Sequence, residues 1–370
     1  MKIAIFLPSL EGGGAEKVSL LLAQGFIEKG ARVDLVLASA RGPYLRSVPD
    51  GVNVIDLKAR RVLMSLPRLV TYLGRYRPTV LLSVLSHANI VSILAKEIAR
   101  VGTRVLITEH LALKASHQVA ATLRARATLF LLPWFYPRAD GVIAVSKGLA
   151  EELVRDFGIP EEKVRVIYNP VVHDELFRKA EEPLEHPWFG PGEPPVFLAV
   201  GRLAKQKDFP TLIRAFARVR REVESRLLIL GEGPERLHLE SLIQELGLGA
   251  HVSMPGFVSN PYPYMARAAA LVLSSLYEAL PTVLIEALAL GTPVVATDCP
   301  YGPAEILEEG KWGKLVAVGD ESGLAKAMRD VVESPPAKSD REAFQKMVVE
   351  RFSVERAVQG YWELVEGLVG

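Results

Sequence analysis

The feature that most constrains this chain is its rhythm: short runs rich in Val, Ile and Leu alternate with helical patterns almost from end to end. Such alternation is the signature of parallel sheets covered by helices. In the first half the strand-like runs are 2–7, 32–37, 52–57, 79–83, 104–108, 141–145 and 164–168. In the second half they are 196–200, 226–230, 251–254, 270–273, 293–297 and 314–316. A chain of 370 residues is long for one core and comfortable for two α/β domains. The stretch Glu181 to Pro195, with five prolines and several acidic residues, has the composition of a linker. The reading is therefore an N-terminal domain over 1–180, a linker over 181–195, a second domain over 196–350 and a C-terminal helix over 351–370. That helix carries Trp362 with Val and Leu on one side, so it must pack against something.

Composition excludes several classes. The apolar fraction of 49% and charged fraction of 24% are those of a globular protein with two packed cores. A single cysteine, Cys299, can make neither an internal disulfide nor a zinc cluster, which fits a reducing compartment and places the chain in the cytoplasm. The first strand is too short for a signal-peptide core, and the apolar stretch Ala127 to Tyr136 is about half the ~20 residues that span a bilayer. Charge is unevenly placed: residues 1–190 hold 25 Lys and Arg against 19 Asp and Glu, residues 191–370 hold 19 against 24. Between Lys58 and Arg138 there are 13 basic residues and two acidic ones, Glu97 and Glu109. Such a field attracts anionic lipid or diphosphate, while any one of these residues is equally at home on a solvated helix face.

Three loops carry chemistry. Gly12-Gly13-Gly14-Ala15-Glu16 lies between the first strand and a helix, where glycines let backbone N–H groups approach an anion. It lacks both the dinucleotide spacing and a P-loop Lys-Ser/Thr, and a tight strand-to-helix turn explains it as well. Gly201 to Asp208 follows another strand and offers Arg202 and Lys207, a fork and a point charge suited to a diphosphate. The third loop runs from Glu278 through Ala279, Leu280, Pro281, Thr282 and Val283 into Glu286. Pro281 suits a first helical turn, leaving N–H groups near Thr282, Val283 and Leu284 as an anion site. Glu286 stands among Leu284, Ile285, Ala287 and Leu288, so its carboxylate needs partners, and vicinal ribose hydroxyls are suitable ones. No D-x-D occurs, so no carboxylate pair offers itself for a metal on the diphosphate, and neither metal nor cofactor is expected.

Taken together, these residues resemble the retaining glycosyltransferases of family 4. The resemblance runs through G-G-A-E at Gly13 to Glu16, V-S-K-G-L at Val145 to Leu149, I-Y-N-P at Ile167 to Pro170, and G-R-L-x-x-x-K-D at Gly201 to Asp208. It continues in L-G-E-G-P at Leu230 to Pro234, the E-x7-E pair Glu278 and Glu286, G-T-P-V-V-A-T-D at Gly291 to Asp298 and G-P-A-E-I-L at Gly302 to Leu307. It implies the GT-B fold, two facing Rossmann-like domains, with the last helix able to cross back to the N-terminal one. It also implies roles. Arg202 and Lys207 hold the donor diphosphate, Glu286 the ribose, and Glu278 with the backbone of Leu280, Pro281, Thr282 and Val283 the donor sugar. His110 stands beside the transferred sugar, Val258 meets the base, Gly13 and Gly14 close over the phosphates, and Glu16 and His110 face the acceptor. Ala279 departs from the family, which usually has glycine there.

The expected activity is transfer of a hexose or N-acetylhexosamine from a nucleotide-diphosphate sugar, UDP favoured, to a glycan or polyprenyl-linked acceptor with retention of configuration. The resemblance is to enzymes of bacterial surface-glycan and lipid-linked oligosaccharide assembly. A sugar-nucleotide epimerase of the same architecture and a non-catalytic sugar-nucleotide-binding protein are the alternatives. Nucleic acid is not an expected partner. Peripheral contact with the inner face of an anionic membrane is an expectation resting on the basic stretch and on Leu129 to Phe135.

Overall fold

The computed structural model describes residues 1–11, 13–115 and 123–369. It forms two compact units, Met1–Pro170 with Phe352–Gly370, and Val171–Arg351. Each is built on one wholly parallel sheet.

In the first unit the strands are β1 (Lys2–Leu7), β2 (Arg32–Leu37), β3 (Asn53–Asp56), β4 (Val80–Val84), β5 (Arg104–Glu109), β6 (Gly141–Ala144) and β7 (Val164–Val166). Their order is β3-β2-β1-β4-β5-β6-β7. The second unit has β8 (Val196–Val200), β9 (Arg226–Leu230), β10 (Val252–Gly256), β11 (Ala270–Leu273), β12 (Val294–Thr297) and β13 (Lys314–Val316), ordered β10-β9-β8-β11-β12-β13. Both sheets therefore reverse direction of winding beside their first strand, the Rossmann arrangement, which opens a crevice at the carboxyl ends of β1 and β4 and of β8 and β11. The central strands are apolar throughout because helices cover both faces: residues 3–7 and 227–230 are all buried.

The last helix, Val354–Val369, returns to the first unit. Its spacing of Ala357, Val358, Tyr361 and Val365 makes one buried stripe, laid on the helix Gly14–Glu28. Tyr361 meets Phe26 edge to face at 6.3 Å. Trp362, the aromatic singled out in the sequence, sits at the margin, its indole N–H donating to Glu366 at 2.7 Å.

Two sequence expectations are revised. The break between units falls at Pro170–Val171, and the proline-rich stretch 181–195 belongs to the second unit. There the rings of His186 and Phe189 pack on Tyr264 at 6.0 and 5.8 Å, Asn260 donates to Glu182 at 2.8 Å, and Arg226 pairs with Glu193 at 2.6 Å. Prolines stiffen it, and aromatic contact rather than a hydrophobic strand fixes it. The basic stretch is also less unbalanced than its composition. Lys96 and Arg104 pair with Asp140, and Lys114 pairs with Asp156, acids that lie beyond Arg138 in the sequence. Arg68 donates to the carbonyls of Leu57 and Lys58. Lys58, Arg60, Arg61, Arg75, Arg77, Arg100 and Arg126 are exposed and have no carboxylate partner among the described residues.

Candidate active site

The second unit assembles its charged groups at the crevice formed by β8 and β11. The loop after β8 contains a short turn, Lys205–Lys207, and ends at Asp208, whose left-handed backbone starts the helix Phe209–Val219. That helix is anchored by Phe209, Leu212, Ile213 and Phe216, all buried. The loop after β11 is stitched to it. Leu276 N–H donates to the Gln206 carbonyl at 2.8 Å, Ser274 Oγ to the Lys207 carbonyl at 2.7 Å, and Gln206 Nε2 to the Tyr277 carbonyl at 2.9 Å.

Within this frame Lys207 Nζ lies 2.6 Å from Glu278 Oε1, and Ser275 Oγ donates to the same oxygen at 2.6 Å. Glu278 is only 7% exposed. A buried carboxylate is tolerated when an opposite charge and hydrogen bonds meet it, and both are present. Arg202 is exposed, and its guanidinium has no carboxylate partner among the described residues. Close approach fixes the neighbouring chain: a β-carbon on Gly231, whose φ is +151°, would stand 1.9 Å from the Gly201 carbonyl oxygen.

The helix Thr282–Ala289 starts one residue later than the sequence suggests. Pro281 is its N-cap, with φ −71° and ψ 96°, rather than a residue of the first turn. It packs closely on Gly302, where a β-carbon would meet Pro281 Cδ at 2.7 Å. Leu284 N–H donates to the Pro281 carbonyl at 3.1 Å and so is not available to an anion, unlike the expectation. Leu280 is buried, and Thr282 and Val283 are half-buried. Glu286 is 6% exposed and accepts the Tyr262 hydroxyl at 3.1 Å, as a carboxylate in an apolar helix must find partners. Val258 is half-buried after Phe257, which is 76% exposed.

The first unit contributes separately. Gly12 lies outside the described residues. Gly13 caps the helix Gly14–Glu28 without a side-chain bond. A β-carbon on Gly13 would lie 2.2 Å from Glu16 Oε2, so the Glu16 carboxylate is folded over the Gly13 backbone. Negative charge is favoured at that helix end. Gly14 faces open space. His110 follows β5, and burial pushes its imidazole down to about 4, so it is neutral near pH 7. The preceding Glu109 is fully buried and accepts from Ser86 and Tyr136, a connection that sequence reasoning missed. Among the described residues no group of three His, Cys, Asp or Glu is placed to hold a metal ion, and no helix is long and apolar enough to cross a membrane.

A parallel-sheet pair with cations and carboxylates at a strand-end crevice is a setting for nucleotide-sugar chemistry, and the relatives bear on it directly. The profile of glycosyltransferase family 4 matches residues 12–175, and that of glycosyl transferases group 1 matches residues 182–347. The N-acetylgalactosamine-N,N'-diacetylbacillosaminyl-diphospho-undecaprenol 4-alpha-N-acetylgalactosaminyltransferase of Campylobacter jejuni is 30% identical over 95% of this chain and 97% of its own. The lipopolysaccharide core biosynthesis glycosyltransferase LpsE of Rhizobium meliloti is 27% identical over 95% and 96%. HepE of Anabaena, solved with UDP and glucose, superposes with a TM-score of 0.82 at 22% identity over 99% of this chain and 100% of its own. The chain belongs to glycosyltransferase family 4, with the GT-B fold, and is a glycosyltransferase.

Proposed function

We propose that this glycosyltransferase moves a hexose or N-acetylhexosamine from a UDP-sugar to a glycan carried on a polyprenyl diphosphate, with retention of configuration and without a metal. The observation that carries the reading is the Lys207–Glu278 pair beside an exposed Arg202, at the strand ends where a Rossmann-type sheet binds its ligand. Arg202 and Lys207 take the diphosphate and balance the charge that grows on the leaving group. Glu286 accepts from the ribose hydroxyls. Glu278, with the backbone of Leu280 to Val283, orients the sugar; the base lies along Val258; His110 stands beside the transferred sugar as a neutral hydrogen-bonding group. Gly13 and Gly14 close over the phosphates, and Glu16 meets the acceptor. The relative named for adding N-acetylgalactosamine to an undecaprenyl diphosphate-linked sugar, and the solved neighbour holding UDP and glucose, support this choice of acceptor and donor.

The test is a panel of nucleotide sugars screened by thermal unfolding, followed by transfer to a polyprenyl diphosphate-linked glycan. A UDP-sugar should raise the unfolding midpoint, UDP release should require the acceptor, and the product should keep the donor's anomeric configuration by NMR. Acceptor-independent release with an epimerised sugar would favour the isomerase instead, and binding without turnover a sugar-nucleotide-binding protein.

We further infer peripheral docking of the first unit on the anionic inner face of the cytoplasmic membrane. The helix Leu123–Phe135 shows Phe130 and Trp134, 74% and 64% exposed, while Leu132 is buried. Leu63 and Met64, 67% and 61% exposed, lie in the turn Val62–Ser65, and both elements pack on the helix Ser86–Ala99. Apolar side chains flanked by Arg60, Arg61 and Arg126 suit a lipid surface.

A further inference from the structure

The chain that follows β5 is held by two buried carboxylates to which no role has been given above. Glu109 is 0% exposed. Its Oε1 accepts the main-chain N–H groups of His110 at 3.0 Å and Leu111 at 3.2 Å, and its Oε2 accepts the hydroxyls of Ser86 at 2.8 Å and Tyr136 at 2.7 Å. Glu152, also 0% exposed, lies on the helix Lys147–Phe157. Its Oε2 accepts from Leu113 N–H at 3.1 Å and its Oε1 from Lys114 N–H at 2.9 Å. One turn further, Asp156 takes the Lys114 ammonium at 2.8 Å. Four of the five N–H groups from 110 to 114 are thereby bound to two carboxylates.

This is an expensive way to satisfy a loop, because water serves exposed N–H groups and burial disfavours a charged carboxyl. Burial indeed raises both Glu109 and Glu152 above the ordinary carboxylate range. What the arrangement achieves is a main chain with little freedom, and displacements of about 1 Å near a reacting group can cost roughly 100-fold in rate. We propose that Glu109 and Glu152 are positioning residues, which fix the main chain of residues 110–114 and so aim the His110 side chain. The proposal rests on the reading of His110 as a group beside the transferred sugar.

The experiment follows the His110 imidazole by NMR titration in Glu152→Ala, Glu152→Gln, Glu109→Gln and Tyr136→Phe, alongside kcat, KM and nucleotide binding by calorimetry. In Glu152→Ala the midpoint should move from about 4 toward 6.5, as the segment loosens and water reaches the ring. In the same variant kcat should fall about 10-fold or more while UDP affinity stays within about 2-fold. Glu152→Gln keeps one carbonyl acceptor and should lie between. Tyr136→Phe removes one donor to Glu109 and the acceptor of one Asn89 N–H but keeps both carboxylates and the ring packing, so it covers the case in which the carboxylate variants do not fold. Folded variants with an unmoved midpoint and wild-type kcat would overturn the proposal. A His110→Ala variant with unchanged kcat would instead remove the role of His110, and the titration would still report whether the carboxylates hold the segment.

Discussion

The two units bury the same side chain for different ends. In the first, Glu109 and Glu152 receive main-chain N–H groups, Glu109 the Ser86 and Tyr136 hydroxyls as well. In the second, Glu278 meets the side chains of Lys207, Ser275 and Gln206, and Glu286 accepts the Tyr262 hydroxyl. A carboxylate tied to the main chain fixes where the chain goes. One tied to side chains can exchange partners with a ligand, because a rotamer change costs far less than moving a backbone. Lys114, next to the Glu152 contacts, is paired with Asp156, while Arg202 stands exposed in the second unit.

The sharpest break in this contrast is at Lys207. If its charge meets the departing diphosphate as proposed, Lys207→Ala should lower kcat about 100-fold or more, and activity should survive a chelator. Loss of turnover on chelation, restored by magnesium, would mean that a metal carries that charge. Glu286→Gln comes next. It keeps the shape but offers one acceptor oxygen, so UDP-sugar affinity measured by calorimetry should weaken about 10-fold, the worth of one hydrogen bond to a charged group. Unchanged affinity would place the ribose elsewhere. Replacing Arg60 and Arg61 by Gln should weaken sedimentation with anionic liposomes by roughly 5-fold per residue, near 1 kcal/mol each. Arg68 is left intact because it holds carbonyls of the fold. Equal partitioning of variant and wild type would leave the exposed patch without a lipid partner.

The smallest effect concerns pH. His110 is lowered from 6.5 to about 4 in the folded chain. Both states carry it neutral above pH 6.5, and below that the unfolded chain takes up the proton first. Its contribution therefore falls as pH drops from 6.5 toward 4. Glu109, raised by burial, acts in the opposite direction, so the comparison must isolate the histidine. His110→Gln should lose less of its thermal midpoint than wild type between pH 7 and pH 5. Parallel losses would show that the ring is already open to water.

How much of this was legible in the sequence depended on whether a signal was local. All thirteen strand-like runs became strands, within a few residues at their ends, because apolar runs bounded by turns carry that information themselves. The loops with Arg202, Lys207, Glu278 and Glu286 were legible for the same reason. Pro281 was misplaced by one residue because the fixed φ of proline suits an N-cap as well as a first turn, so the sequence does not separate the two. The charge excess from Lys58 to Arg138 overstated the unpaired charge, because Asp140 and Asp156, which take Lys96, Arg104 and Lys114, lie beyond the window. Glu109 and Glu152 did leave traces. Glu109 ends an apolar strand, and Glu152 falls on the stripe of Leu149, Leu153 and Phe157, the burial argument that singled out Glu286.

The return of Val354–Val369 to the first unit makes the second unit, in chain order, an insertion within the first. During synthesis the stripe that meets Phe26 does not exist until residues 357–365 are made. At about 5–20 residues per second the intervening stretch takes on the order of 10 to 40 s to emerge. Through that interval the surface around Phe26 waits uncovered, while the second unit, continuous in the chain, can already close its own core. A ribosome that stops before this helix therefore leaves a closed second unit attached to a first unit whose surface around Phe26 is uncovered, a product for chaperones and proteases rather than a weakened enzyme.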